Sequence, residues 1–398
     1  MLGGILIKTC MIGISGYGRM HYDFLCAAEA QGRIEMVGAT VINQEEEVER
    51  CAELKKRGCR LFTDYQVMLQ ELSGLAEFCV IPTGTPLHRP MAVAALEAGM
   101  HVLVEKPLAG CLQDAEAMIL AARKTNRLAA VGYQHLYTAA AMGVKEHILN
   151  GTIGQIQSIK SLAMWPRPHS YYLRNGWAGK LSMNGTAVND TPFNNAVAHD
   201  LMMMLFQAGP ATRVAATPVK VAAALYRANA IESADTACMH VETAEGIPIR
   251  FYTTHACRER VNPTIHIQGS KGTIVMRHEA AVISPDDATA VTIPTGGAEG
   301  GRQAMFDAVL DALQGGASFI CDFNVALCQT MVVDAIHRTC AIQPVDGKIS
   351  NPGTDKAATF IPGIEAAMTK AFEEESLLHA KTNSIWTSRN EVSTNQNR

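Results

Sequence analysis

Between residues 5 and 132 the chain alternates short, nearly continuous apolar runs with amphipathic stretches, and this rhythm narrows the possible folds more than any other feature. The apolar runs predict strands near 8–14, 35–42, 78–81, 101–104 and 128–132; the stretches between them predict helices over 20–29, 46–57, 89–98 and 112–124. Strands that lack polar alternation are buried on both faces, which belongs to a parallel sheet clothed by helices. Right-handed crossovers then give a doubly wound α/β domain of the Rossmann type over 1–134.

Beyond Gln134 the rhythm changes. A helix over 138–149 and a segment rich in aromatics and glycine precede strands at 219–227, 234–243, 247–255, 264–268 and 273–277, which read as an antiparallel meander. Gly269-Ser270-Lys271-Gly272 is a good hairpin turn. The pattern implies an α+β domain over 135–380 with a large, open, mostly antiparallel sheet. Helices over 303–313 and 324–340 are expected to cover that sheet, and 381–398 reads as a polar tail that frays or serves subunit contacts.

With 398 residues, 48% of them hydrophobic, the chain can bury two cores. A net charge of −4 gives no basic surplus for a polyanion, so nucleic acid is not an expected partner. No run reaches the roughly 18 apolar residues of a membrane span, and the apolar opening lacks the basic flank and length of a signal peptide. The 11 cysteines are scattered without a C-x-x-C pair, as expected for reduced thiols in a cytoplasmic protein. His, Asp and Glu do not cluster at ligand spacing, so no metal is expected.

The first strand ends in Gly13-Ile14-Ser15-Gly16-Tyr17-Gly18-Arg19-Met20-His21. Gly16 permits a tight turn and Gly18 a close backbone approach, so a pyrophosphate can sit at the positive end of the next helix. His21 stands where the fingerprint places a small residue, which is expected to loosen helix packing. The second strand runs into Asn43-Gln44-Glu45-Glu46-Glu47 rather than an acidic residue at its tip. Asn43 is the candidate ribose ligand, and the glutamates would repel a 2′-phosphate, so NAD is favoured over NADP.

Further motifs follow: Ile81-Pro82-Thr83-Gly84-Thr85-Pro86-Leu87-His88, then Val104-Glu105-Lys106-Pro107, Val131-Gly132-Tyr133-Gln134, and Leu149-Asn150-Gly151-Thr152-Ile153-Gly154. With the glycine turn and the 268–272 hairpin, these resemble the Gfo/Idh/MocA oxidoreductase family, which includes glucose-fructose oxidoreductase and inositol dehydrogenases. The resemblance covers roughly 9–340. It implies NAD contacts from Gly16, Tyr17, Gly18, Arg19, Met20, Asn43, Pro82, Thr83, Thr85, His88, Glu105, Lys106 and Gln134. It also implies that Lys106 reaches both the nicotinamide and the reacting hydroxyl, where an ammonium favours alkoxide character.

The family's Asp-x-x-x-His step reads Asn195-Ala196-Val197-Ala198-His199. On a helix, residues four apart share a face, so Asn195 and His199 are expected to approach one substrate, with His199 as general base. Asn195 cannot stabilise imidazolium by charge but can orient the ring or bond a hydroxyl; Asp200 is expected to point elsewhere. The segment from Trp165 to Lys180 holds Trp165, Arg167, Tyr172, Arg174, Asn175, Trp177 and Lys180, whose flat faces and donors suit a carbohydrate. Asn189, Asp190, Asn194 and His135 are further candidates.

The resemblance implies an NAD-dependent dehydrogenase acting on a secondary hydroxyl of a sugar, glycoside or polyol, with C3 of a hexopyranosyl unit favoured, and a homodimer or homotetramer. A redox-elimination glycosidase and a non-catalytic sugar or dinucleotide sensor are the competing readings.

Overall fold

In the computed structural model, which describes residues 6–378 and 390–393, the chain forms two compact units. The first runs to Tyr133 and also takes in Arg302–Ala326; the second holds Gln134–Gly301 and the residues from Leu327 onward. The division of the fold is therefore not linear in sequence.

The first unit is built on six parallel strands, β1 (Ile7–Ile12), β2 (Ile34–Thr40), β3 (Arg60–Phe62), β4 (Phe78–Ile81), β5 (His101–Val104) and β6 (Ala129–Val131), ordered β3-β2-β1-β4-β5-β6. Every residue of β4 and β6 is buried, as a sheet covered on both faces requires. Helices α1 (Gly18–Ala30), α2 (Val48–Lys56), α3 (Tyr65–Glu71), α4 (Thr85–Glu97) and α5 (Leu112–Thr125) make the crossovers. α4 begins earlier than the expected 89, because Pro86 fits the first turn of a helix, where no amide donor is needed. The strand order reverses between β1 and β4, and the glycine turn and the Pro82-Thr83 turn both leave the sheet there, at the carboxyl edge where such folds bind ligands.

One expected covering helix belongs elsewhere. The segment 303–313, read as a lid on the second sheet, lies in Gly297–Leu313 and from Arg302 onward joins the first unit. There Phe306 stacks on Phe24 of α1 at 5.1 Å and meets the His21 ring edge-on at 5.3 Å. Amphipathic periodicity announced a helix with one apolar face, but not which sheet that face would meet.

The second unit opens with a short 3-10 turn (Gln134–Tyr137) and α6 (Ala139–Leu149), then β7 (Ile156–Met164), the centre of a 10-stranded sheet. The expected meander is interrupted: β7 lies between Pro248–Thr254, parallel to it, and Val261–Gly269, antiparallel to it. Val261–Gly269 and Gly272–Met276 form the hairpin expected from the Gly269–Gly272 turn, in the register Ile265 opposite Met276. Of the polar tail 381–398, Asn390–Ser393 pairs with Pro218–Arg227; its other residues lie outside those described.

Helices bury both faces of the sheet's centre. Ile364–Glu373 packs its Ile364 and Met368 with Met164, Tyr226 and Tyr252. Helix Ala198–Ala208 packs against β7 and its neighbours and is buried from Leu201 to Ala208, the mark of a helix that is apolar all round. Its carboxyl end is held by Lys145 of α6, whose Nζ donates to the carbonyls of Phe206 (2.6 Å) and Gly209 (2.5 Å). Burial holds that ammonium down to about 8, a cost offset by carbonyls that a helix end otherwise leaves unbonded.

Candidate functional site

Backbone geometry builds the dinucleotide cradle first. Gly16 adopts φ +57°, the left-handed region that favours glycine, and a Cβ on Gly18 would lie 2.7 Å from the Gly13 carbonyl oxygen. No side chain caps the amino end of α1; the Gly18, Arg19 and Met20 amides donate to the Ser15, Gly16 and Tyr17 carbonyls, which winds the glycine turn tightly into the helix whose positive end favours an anion. Tyr17 and Arg19 are exposed beside this turn and Met20 is half-buried. Ser15 Oγ donates to Asn43 Oδ1 at 3.0 Å, tying the turn to the end of β2, and Asn43 Nδ2 donates to Glu46 at 2.9 Å. Arg50 is paired with Glu47. These residues fit a dinucleotide, and their carboxylates disfavour a 2′-phosphate.

His21 overturns the expectation of loose packing. It is buried, and its Nε2 lies 2.8 Å from Glu105 Oε1 at the end of β5. Burial pushes the Glu105 carboxyl up, but the His21 hydrogen bond and charge, with Lys106 behind them, hold it below the usual carboxylate range. Glu105 Oε2 also accepts the Lys106 amide at 3.0 Å. A Cβ on Gly132 would lie 2.8 Å from Glu105 Oε1, so the glycine after β6 makes room for this carboxylate. Glu105 is thus a buried strut for the Lys106 backbone, and the Lys106-Pro107 peptide is cis.

His88, expected at the cofactor, is fully buried with its two ring nitrogens 2.8 Å from the Pro107 carbonyl and 2.9 Å from the Thr83 carbonyl. It joins the loops after β4 and β5 and offers no edge to a ligand. Thr83 Oγ1 donates to Met91 sulfur at 3.5 Å, while Pro82 packs beside Gly18 and Thr85 is buried at the start of α4. Gln134, in the second unit, is buried with Oε1 unbonded.

The second unit carries a cavity of about 440 Å³, lined by His135, Thr138, Trp165, His199, Asp200, Met203, Asn262, Ile265, Met276, Arg277 and His278, among others. The 195–200 segment is not one helix. A 3-10 turn (Pro192–Asn194) ends at Asn195, which has φ −132° and ψ −80°, and the helix starts at Ala198. The shared-face argument for Asn195 and His199 therefore fails. Asn195 Nδ2 instead donates to Asp190 Oδ1 at 2.7 Å, and Asp190 also accepts the Gly179 amide and pairs with Arg174 at 3.4 Å. Asn194 is bonded to the Val188 and Asn189 carbonyls and to Gln329, so it braces the loop. Asn189, at φ +49°, shapes the same turn.

The late helix start also brings Asp200 into the cavity wall beside His199, where burial lifts its carboxyl to about 7. The His199 and His135 rings stack at 4.2 Å. Imidazole and carboxylate side chains set together in one cavity are the residue types that general acid–base work uses.

Of the aromatic segment, Trp165 lines this cavity, its Nε1 donating to Asn262 at 3.0 Å. Arg167 and Arg174 interleave with Trp165, Tyr171 and Trp177 as cation–π partners. Tyr172 Oη lies 3.5 Å from His255, and Asn175 Oδ1 caps the Trp177 and Ala178 amides. Arg167, Tyr172, Arg174, Asn175, Trp177 and Lys180 do not line the cavity, although Arg167 lies beside Trp165, which does. Asn262, Met276, Arg277 and His278 do, and their signal was the Gly269–Gly272 hairpin: with Ile265 opposite Met276, counting outward sets 263–264 beside 277–278.

Comparisons with known proteins agree on the kind of fold. Residues 7–133 match a family model described as "Oxidoreductase family, NAD-binding Rossmann fold", and 142–275 match the "GFO/IDH/MocA C-terminal domain". The chain is 31% identical over 129 residues to UDP-N-acetylglucosamine 3-dehydrogenase of Acidithiobacillus ferrooxidans, covering 32% of this chain and 37% of that protein. It is 30% identical over 155 residues to glucose-6-phosphate 3-dehydrogenase of Bacillus subtilis, covering 38% and 41%. The match thus spans less than half the length of these relatives. Among solved structures, the WlbA dehydrogenase from Bordetella pertussis, in complex with NADH and UDP-GlcNAcA, superposes with a TM-score of 0.70 at 23% identity, over 84% of this chain and 96% of that one, a likeness of fold.

Proposed function

The chain belongs to the Gfo/Idh/MocA oxidoreductase family, and on that premise we propose that it oxidises a secondary hydroxyl of a sugar, glycoside or polyol to a ketone with NAD. The observation that carries the proposal is the cavity whose lining brings His199 and Asp200 together with Trp165. Two relatives are named for reaction at position 3 of a glucosyl ring, which favours C3 of a hexopyranosyl unit.

In this reading the nicotinamide, when bound, supplies the hydride acceptor. His199 takes the hydroxyl proton as the carbonyl forms, and Asp200, ionised above about pH 7, balances the imidazolium that results. Lys106, whose role comes from the resemblance, donates to the developing oxyanion. Its backbone is fixed by the Glu105–His21 pair. Asn195 acts through its bond to Asp190 as a brace for the loop before the helix. No helix among the described residues is long and apolar enough to cross a membrane, and the reading includes a cytoplasmic homo-oligomer.

Incubation with NAD and a panel of hexosides tests it through the near-ultraviolet absorbance of reduced nicotinamide. Lys106→Ala and His199→Ala should each lower kcat at least about a hundredfold while dinucleotide binding persists. Absence of reduced nicotinamide with every sugar, in either direction, would overturn the proposal.

A further inference from the structure

We infer that the cavity takes a glycosyl substrate bearing an anionic group, a carboxylate or a phosphate, received by Arg167 and Arg260 beside Trp165. The inference rests on the sugar-oxidising reading and names the substrate class for that same site.

Trp165 belongs to the cavity wall. Two guanidinium groups lie near its ring, Arg167 at 5.3 Å and Arg260 at 5.4 Å from the centroid. Arg167 also lies 4.6 Å from the Tyr171 centroid, and that ring carries a third guanidinium, Arg174, at 3.8 Å. Arg277, unlike these three, is itself part of the cavity lining. Four like charges are therefore gathered about one cavity and the aromatic ladder beside it.

The chain supplies little to neutralise them. Asp190 is shared among Arg174, the Gly179 amide and Asn195. Among the described residues no carboxylate pairs with Arg167, Arg260 or Arg277. Arg167 is only partly exposed, and its Nε is buried without a hydrogen-bond partner. Burial, with Arg260 and Arg174 adding their repulsion, weakens its hold on its proton. A partly buried guanidinium set among like charges calls for an external anion, and its planar fork matches carboxylate and phosphate oxygens. Pro166 and Pro168 line a separate hollow, whereas Trp165 between β7 and Pro166 faces the cavity. The Trp-Pro-Arg-Pro alternation thus assigns Trp165 and Arg167 to the side away from the prolines.

Calorimetric titration of the full-length protein with methyl glucoside, methyl glucuronide, glucose phosphate and inorganic phosphate tests the inference without requiring turnover. At least one charged glycoside should bind ten times more tightly than methyl glucoside, with the advantage falling as salt rises. The Arg167→Gln/Arg260→Gln double variant should lose that preference, and Arg260→Gln alone, at an exposed position, should reduce it severalfold. Tighter binding of the glucuronide than the phosphate, or the reverse, identifies the anion. Equal affinity for neutral and charged sugars, an unchanged preference in both variants, or binding of inorganic phosphate as tight as that of the sugar phosphate would overturn it. If no sugar reduces NAD while the charge preference persists, the oxidation reading fails and the anion site stands; turnover of neutral sugars with no charge preference does the opposite.

Discussion

His21 shows what a linear motif conceals. The residue departs from the small side chain expected after a glycine turn, yet its partner Glu105 lies 84 residues later, on a different strand. No local pattern could supply that pairing. Asp200 was misjudged for a related reason: the periodicity argument assumed a helix running through Asn195, and a start at Ala198 changes which residues face the cavity. Types and motifs pointed to His199 and Trp165, both of which line the cavity, while the phase of the backbone decided their neighbours. Asp200 carries a prediction with two signs. Its folded pKa is raised from 3.8 to about 7, so the stability associated with the neutral carboxyl is full below pH 3.8 and is lost as pH rises to about 7. Asp200→Asn removes this titration. Above pH 7 the variant should melt at a higher temperature than the parent and turn over sugar more slowly, and its pH–rate profile should lack the limb near 7. A variant that melts lower at pH 8, or keeps that limb, would contradict the assignment.

At the scale of elements, the buried strands of the first unit were legible because residues covered on both faces leave an unbroken apolar signature. β3 was not, since Arg60-Leu61-Phe62 is too short to show a period. β7 was missed although it is the hub of the second sheet: Ile156-Gln157-Ser158-Ile159-Lys160-Ser161 mixes polar residues into the run, and Ser161 is buried all the same. Lys145 is another such case, a lysine that sequence would assign to solvent. Replacing it by Met should keep the volume and remove the donor to Phe206 and Gly209, leaving buried carbonyls unsatisfied at a cost of about 2 kcal/mol. Urea unfolding should show a lower midpoint with an unchanged slope. Because that contact anchors the helix carrying His199, catalytic efficiency should fall even where the protein remains folded. An unchanged midpoint would mean the ammonium contributes nothing net.

The whole molecule was divided correctly in kind, a parallel α/β unit followed by a largely antiparallel one, but the chain's return over 302–326 was beyond a reading that moves in one direction. That return completes the first unit. The Val131 amide donates to the Cys321 carbonyl at 2.8 Å, Ala130 bridges Asp322, Phe306 covers Phe24 and His21, and Arg33 pairs with Asp307. A fragment ending at residue 134 would therefore expose the open edge of β6 and the apolar face of α1. Unpaired edges and bare apolar patches lead to aggregation, so such a fragment should be poorly soluble and should unfold without a cooperative transition. Joining 302–326 to it through a flexible linker should restore a cooperative transition, and with it NAD binding measured by titration, since the glycine turn opens directly into α1. If the bare fragment proves as cooperative and as competent for NAD as the joined one, the returning segment is an accessory, and the first unit is the linear domain that the sequence suggested.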